Sequence, residues 1–250
     1  MRHVVFVFAL VLASPVCAET PGVLAVRNAR IFTASGPVIE RGNVVVRDGL
    51  IEAVGASVPI PADAWLIEGA GLTVYPGFTN ALSVWGIPRQ SDASSNGRGR
   101  VAAPQGAVAR GPEDRPSNTS WVTAQELVQP ADASIGRARG GGFTSAVVFP
   151  EAGIFAGQGA WMNLAGDKAG QMVVASPLGQ LVALRTSGFT SFPGSLMGVF
   201  AYIRQVYLDA DYYAAARQLY AQEARGRKRV DYDRALEGVL AAPRVLLPAV

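Results

Sequence analysis

Apolar and polar positions fall into distinct textures along the chain. From residue 23 to residue 70 they alternate in short runs, the period of strands with one buried face. Residues 23–33 predict one strand, and residues 43–47 and 50–54 predict two more on either side of Asp48-Gly49. Both turn residues tolerate positive φ, which a two-residue type I′ hairpin requires. Residues 65–68 predict a further short strand. Residues 72–79 are almost continuously apolar through Tyr75-Pro76-Gly77, the pattern of a strand buried on both faces.

Residues 86–118 break the pattern. Gly, Pro, Ser and Arg dominate there, and few large apolar side chains follow Ile87. Such a stretch cannot bury enough surface to offset the entropy of ordering itself, so a disordered insertion is predicted.

Periodicity returns at Trp121. Thr123 and Glu126 have the spacing of a capping box for a short helix that Pro130 ends. Residues 131–139 predict a second helical stretch, stopped by Gly140-Gly141-Gly142. Residues 143–149 predict a buried strand closed by Pro150, and 160–164, 172–175 and 180–185 predict short strands. Gly194 or Ser195 opens the longest helix, which runs to about residue 224. Its predicted buried stripe is Leu196, Val199, Phe200, Ile203, Val206, Tyr207 and Ala210. Tyr207, Tyr212, Tyr213 and Tyr220 are read as core packing and groove-edge side chains rather than a ligand box. A short helix over 231–240 precedes an apolar run at 245–250. Strand, crossing helix and strand in this order imply parallel pairing and an α/β architecture.

Composition narrows the chemistry. Half of the 250 residues are apolar, 16% are charged and the net charge is +3, which excludes a disordered chain. The single His is His3 and the single Cys is Cys17. Both lie in residues 1–18, which read as a secretory signal with a basic start, an apolar stretch and a Val16-Cys17-Ala18 cleavage site. The alternatives are an N-terminal core strand and a lipid-anchored Cys17, the latter disfavoured by Ser14-Pro15-Val16. The apolar stretch is too short to span a bilayer, so no transmembrane helix is expected. The expected product is exported, periplasmic or secreted, with neither His nor Cys. That excludes Ser-His-Asp triads and His or Cys metal sites within it. Arg225, Arg227, Lys228 and Arg229 form a basic cluster read as a solvated helix end. No aromatics interleave it, so nucleic-acid binding is not expected.

The pieces Asn28-Ala29-Arg30-Ile31, residues 42–55 from Gly42-Asn43-Val44 to Val54-Gly55, and Tyr75-Pro76-Gly77-Phe78 resemble the entry of the amidohydrolase superfamily, closest to its imidazolonepropionase-like branch. A second stretch, from residues 138–142 through Phe143-Thr144-Ser145 and Pro150 to Gly157-Gln158-Gly159, resembles the second barrel strand and its following loop. The resemblance implies a small β-sandwich portion over 19–71, followed by part of a metal-bearing (β/α)8 barrel over 72–250. It also implies a hydrolase of carbon–nitrogen bonds other than peptide bonds, with zinc or another divalent metal as the usual cofactor.

The family's metal motif is Asp-x-His-x-His directly after Pro-Gly. Residues two apart on a strand point the same way, so both imidazoles reach one metal, which makes hydroxide available near neutral pH. At the matching positions this chain has Asn80, Leu82 and Val84. Leu82 and Val84 stand where the two ligands would be and offer no lone pair, so no metal or other cofactor is expected in this chain. A complete barrel takes about 250 residues, and about four barrel strands are counted here. A fragment of a longer reading frame is therefore expected, inactive by itself.

Other chemistry is sparse. Glu151, just after the predicted strand 143–149, sits where barrel enzymes place active-site residues and is the one catalytic candidate; the alternative is a loop acid capping nearby amides. Lys168 beside Asp167 is read as a solvated loop residue. Asp209 and Asp211 diverge on a helix, Ser195 lacks a base, and Gly157-Gln158-Gly159 is not a phosphate loop. Asn118-Thr119-Ser120 fits a glycosylation sequon. The alternative to an amidohydrolase-like polypeptide is a non-catalytic periplasmic binding or interaction module. Substrate, small-molecule ligand and oligomeric state are left unknown by the sequence.

Overall fold

The computed structural model describes residues 22–88, 115, 117–186 and 192–248. The expected signal segment and most of the expected insertion lie outside the described residues. The chain divides into two compact units, Met1–Pro76 and Gly77–Val250. The described residues make a mixed α/β fold with three sheets and few helices, and they do not close a barrel.

The first unit is one sheet. β1 (Val23–Ile31) pairs antiparallel with β2 (Ile39–Arg47), and β2 pairs antiparallel with β3 (Leu50–Gly55). Along its other edge β1 pairs in parallel with β4 (Trp65–Glu68) and then β5 (Thr73–Val74). The hairpin forms where expected, with φ of 50° at Asp48 and 80° at Gly49. Val23, Ala25 and Val45 form its small core against Val58, Ile60 and Ala64. Midway along β1 the register shifts at Asn28, whose φ is 59° and whose N–H donates to Asn43 Oδ1.

The apolar run 72–79 is not one doubly buried strand. It divides between β5 and β6 (Phe78–Ser83), because Pro76 cannot donate to a ladder. Leu72, Tyr75 and Phe78 are exposed.

In the second unit, β6 pairs in parallel with β7 (Phe143–Val148) after a crossing through α1 (Ala124–Leu127) and α2 (Ala133–Gly140). β7 continues antiparallel to β9 (Ala160–Asn163), which takes β10 (Val173–Ala175) after the single turn α3 (Ala169–Met172). A third sheet joins β8 (Phe155–Gln158) antiparallel to β11 (Gln180–Val182) and β11 parallel to β12 (Val245–Leu246). Between β11 and β12 run the long helix α4 (Leu196–Gln222) and α5 (Arg234–Leu240). The strand–helix–strand order thus gives two parallel pairs, and the hairpin arms β8, β9 and β10 join antiparallel.

Two larger cores hold the second unit, beside a smaller cluster of Phe149, Ala156 and Leu181. One gathers Ile87, Ile135, Ala146, Val148, Met162 and Met172 between the β6–β7 sheet and α2. The other centres on Phe155 and Val182, which α4 covers with Val199, Tyr202, Val206, Ala210 and Tyr213. The buried face of α4 keeps most of the expected stripe: Val199, Val206 and Ala210 are buried, and Ile203 and Tyr207 pack against the same core. Leu196 and Phe200 are exposed instead, while Tyr202 and Tyr213 point inward. Phe155 explains the shift, since its ring meets the Tyr202 and Tyr207 rings edge-on at 6.2 and 5.8 Å. Among the described residues, no helix is long and apolar enough to cross a membrane.

Candidate functional site

β6 and β7 carry the positions that the sequence singled out. Thr79 Oγ1 and Ser145 Oγ lie 2.8 Å apart across this pair, and Phe149 N–H donates to the Ser83 carbonyl at its far end. Between these points the ladder loses register: Asn80 faces Ala146 but Ser83 faces Val148, so β6 holds one residue more than β7. The bulge bends the strand at Ala81 and Leu82 and interrupts the period-two alternation on which a His-x-His pair depends. Asn80 Oδ1 accepts the Leu82 N–H at 3.1 Å, closing a local turn. Leu82 is 43% exposed, and Val84 is half-buried beyond the strand end. Neither offers a donor atom. Among the described residues no three His, Cys, Asp or Glu side chains come together as metal ligands, and the hydrocarbon side chains of Leu82 and Val84 do not fit the places of two ligands to zinc or another divalent metal.

Glu151 follows β7 in the loop after Pro150. Its neighbour is Arg185, which lies beyond β11. Arg185 Nη1 donates to the Glu151 carbonyl at 2.8 Å, and Nη2 sits 4.0 Å from the carboxylate. Both side chains are about half exposed. The pair links the loops after β7 and β11, with the carboxylate open to water.

The remaining candidates separate. Lys168 is exposed as the residue before α3. Ser195 caps α4, its Oγ accepting the Gly198 N–H. Asp209 receives Arg115 Nη1 at 2.6 Å, whereas Asp211 is exposed and points elsewhere. Thr123 precedes α1, but its buried Oγ1 has no partner among the described residues and makes no capping bond. Its backbone bridges to Gln158, which draws it into the third sheet and away from the box geometry.

The sequon is also reassigned. Asn118, Thr119 and Ser120 are buried, Asn118 Oδ1 accepts the Ser120 N–H, and Ser120 Oγ donates to the Ala235 carbonyl at 2.6 Å. A buried Asn is not open to glycan transfer.

Sequence reasoning missed the buried polar junction beside this segment. Gln158 Nε2 donates to the carbonyls of Ser120 and Gly238 at 3.3 and 3.0 Å, tying the 118–123 segment and α5 to β8. The glycines on either side of Gln158 are steric requirements. A Cβ on Gly157, at φ 117°, would meet the Val122 carbonyl, and one on Gly159 would land on the Phe149 ring. Nearby, Arg115 reaches both Asp209 and Asp233, the latter at 3.4 Å, and so joins α4 to the N-cap of α5. Beside these charges burial pushes the Tyr202 phenol up to about 12; Arg115 opposes the shift, and Asp209 and Asp233 reinforce it. No hydrophobic period marks these residues. The Gly-x-Gly spacing around Gln158 was the one visible signal.

A groove of about 520 Å³ runs along α2, lined by Trp85, Ile87, Asp132, Ser134, Arg137 and Phe143 among others. Glu151 and Leu82 do not line it.

A crystal structure of an amidohydrolase from Thermotoga maritima MSB8 superimposes with a TM-score of 0.62, covering 86% of this chain at 23% identity. The fold is amidohydrolase-like. The match covers 54% of the other chain, so this chain spans about half the length of that structure. At this identity the likeness is one of fold. A second solved structure, from Bifidobacterium longum, aligns over 26% of this chain and 17% of its own at 33% identity, with a TM-score of 0.24, too low to indicate a shared fold. No protein-family model and no curated protein matches the chain.

Proposed function

We propose that this chain is the N-terminal portion of an amidohydrolase-type protein of the imidazolonepropionase-like branch, truncated and inactive by itself. In this reading the parallel β6–β7 and β11–β12 pairs are sections of a (β/α)8 barrel. The complete protein would hydrolyse carbon–nitrogen bonds other than peptide bonds. Residues 1–18 are the export signal, which sends the chain to the periplasm or outside the cell.

The observation that carries the inactivity is the donor-free pair Leu82 and Val84, with a bulge between Asn80 and Ser83 where a metal motif needs alternation. A metal held at such a pair of positions would lower the pKa of water for attack on an amide carbon, and two hydrocarbon side chains do not hold one. Glu151 is the carboxylate best placed after a strand to serve the complete protein, beside Arg185.

The purified chain, loaded with excess zinc and desalted, is expected to retain far less than one zinc per chain by mass spectrometry and to leave cyclic amides intact. Stoichiometric zinc together with cyclic-amide hydrolysis would overturn the proposal. A non-catalytic periplasmic binding or interaction module draws on the same donor-free positions. Sequencing downstream of the last codon separates the two: an in-frame continuation with His-bearing strands supports the truncated enzyme, and a stop supports the module.

A further inference from the structure

α4 is apolar on two opposite faces, and among the described residues only one of them is covered. Val199, Tyr202, Val206, Ala210 and Tyr213 pack inward on the Phe155 core. At about 100° per residue, Met197, Ala201, Arg204, Leu208, Tyr212, Ala215 and Leu219 all fall within about 40° of Leu208 on the outward face. Every one of them is exposed: Met197 75%, Leu208 52%, Tyr212 77% and Leu219 47%, with Arg204 and the two alanines also in the exposed class. A soluble helix normally opposes its core face with charged and polar residues. Here a single cation interrupts an apolar stripe about 33 Å long.

The stripe has the same spacing from either end. Leu208 is its midpoint. Ala201 and Ala215 lie seven residues to either side, Met197 and Leu219 eleven, and Arg204 and Tyr212 four. We infer that this face of α4 is a self-association surface, which takes α4 of a second copy antiparallel across a two-fold axis at Leu208. In that register Leu208 meets Leu208. Each Ala201 faces an Ala215, which lets the axes approach closely, and each Met197 covers a Leu219. Each Arg204 comes over the Tyr212 ring of the other copy, next to Asp211, so the one cation in the stripe gains a π face and an opposite charge. A parallel pairing would instead set Arg204 against Arg204. This charge complementarity selects a second copy in the antiparallel sense over an unrelated apolar partner. One helix pair is at the small end of stable interfaces, which predicts a concentration-dependent dimer.

The test uses the full chain with Cys17→Ser, which removes the sole cysteine, and adds one cysteine at a time on the exposed stripe. With a short thiol–thiol crosslinker, Leu208→Cys is expected to give covalent dimer. Met197→Cys alone and Leu219→Cys alone are expected to give none, since like positions then sit about 33 Å apart. A mixture of the two is expected to give the heterodimer. In parallel, sedimentation of the chain without added cysteines should show a monomer–dimer equilibrium that Leu208→Glu weakens at least tenfold, with an unchanged circular dichroism spectrum. A chain that stays monomeric at high micromolar concentration overturns the inference. So does crosslinking of Met197→Cys or Leu219→Cys with itself, and so does failure of Leu208→Cys to crosslink.

Discussion

Gln158 stands directly opposite Gln180 across the β8–β11 ladder, and both side chains are buried. Their amides differ at one atom. Gln158 Nε2 donates to the carbonyls of Ser120 and Gly238, while Gln158 Oε1 and both Oε1 and Nε2 of Gln180 have no partner among the described residues. A buried amide without a partner costs about 1–3 kcal/mol, and deleting a donor strands the acceptors it served. Gln158→Leu is therefore expected to lower the unfolding free energy by about 2 kcal/mol. Gln180→Leu, close in shape, is expected to raise it by about 1 kcal/mol. Urea unfolding of the two variants checks both the magnitudes and the opposite signs.

Gly159 and Phe149 test the packing of the same junction. A methyl group on Gly159 would occupy the space of the buried Phe149 ring. Gly159→Ala is expected to destabilise by about 2 kcal/mol through overpacking. Combined with Phe149→Leu, which vacates that space, it is expected to cost less than the sum of the two single changes. A double-mutant cycle by chemical denaturation measures the coupling.

Tyr202 predicts the alkaline limit of stability. Its folded phenol titrates at about 12, mainly through burial, against about 10 for the unfolded chain. The unfolded state therefore loses its proton first. The contribution of Tyr202 is complete below pH 10 and declines as the pH rises from about 10 to about 12. Tyr202→Phe is expected to flatten that decline, read from denaturation midpoints across this range. A phenolate absorbance titration should lose its late-titrating component in the same variant.

The Glu151–Arg185 pair predicts a small effect. Both side chains are about half exposed, and their charged atoms are 4.0 Å apart. Glu151→Gln is expected to change stability by less than about 0.5 kcal/mol. A larger loss, measured by thermal unfolding at low and high salt, would mark Glu151 as a structural carboxylate instead.

Glu68 predicts the acid side of the first unit. Hydrogen bonds from Arg27 and Asn28 hold its carboxyl below the usual range. Its contribution is present above the ordinary carboxyl pKa and is lost as the pH falls through the depressed folded value. Glu68→Gln is expected to make unfolding less pH-dependent across that acid range, as followed by circular dichroism.

Local chemistry made several elements legible in the sequence. Asp48-Gly49 specifies its turn because both residues reach positive φ, and the strands on either side follow at the expected places. Ser195 opens α4 as expected, its side chain accepting the Gly198 N–H. The amidohydrolase-like fold was legible from the pieces around Asn28, Gly42–Gly55 and Tyr75–Phe78. Thr123 was misread because its capping spacing is local, whereas its bridge to Gln158 is a contact across 35 residues.

By itself, the sequence determined what chemistry the chain can carry: His3 and Cys17 are its only His and Cys, and Leu82 and Val84 have no lone pairs to offer. It also determined where α4 lies. It placed Val199, Val206 and Ala210 on the inward face of α4 but did not decide the sides of Tyr202 and Tyr213, because a tyrosine suits both a core and a groove edge. Only the tertiary structure decided that, when Phe155 and α5 took the side bearing Tyr202, Val206 and Tyr213 and left Leu208 and Tyr212 outside. The bulge in β6 and the Gln158 junction were decided at the same level. Each exists only when segments distant along the chain compete for the same space and the same backbone hydrogen bonds.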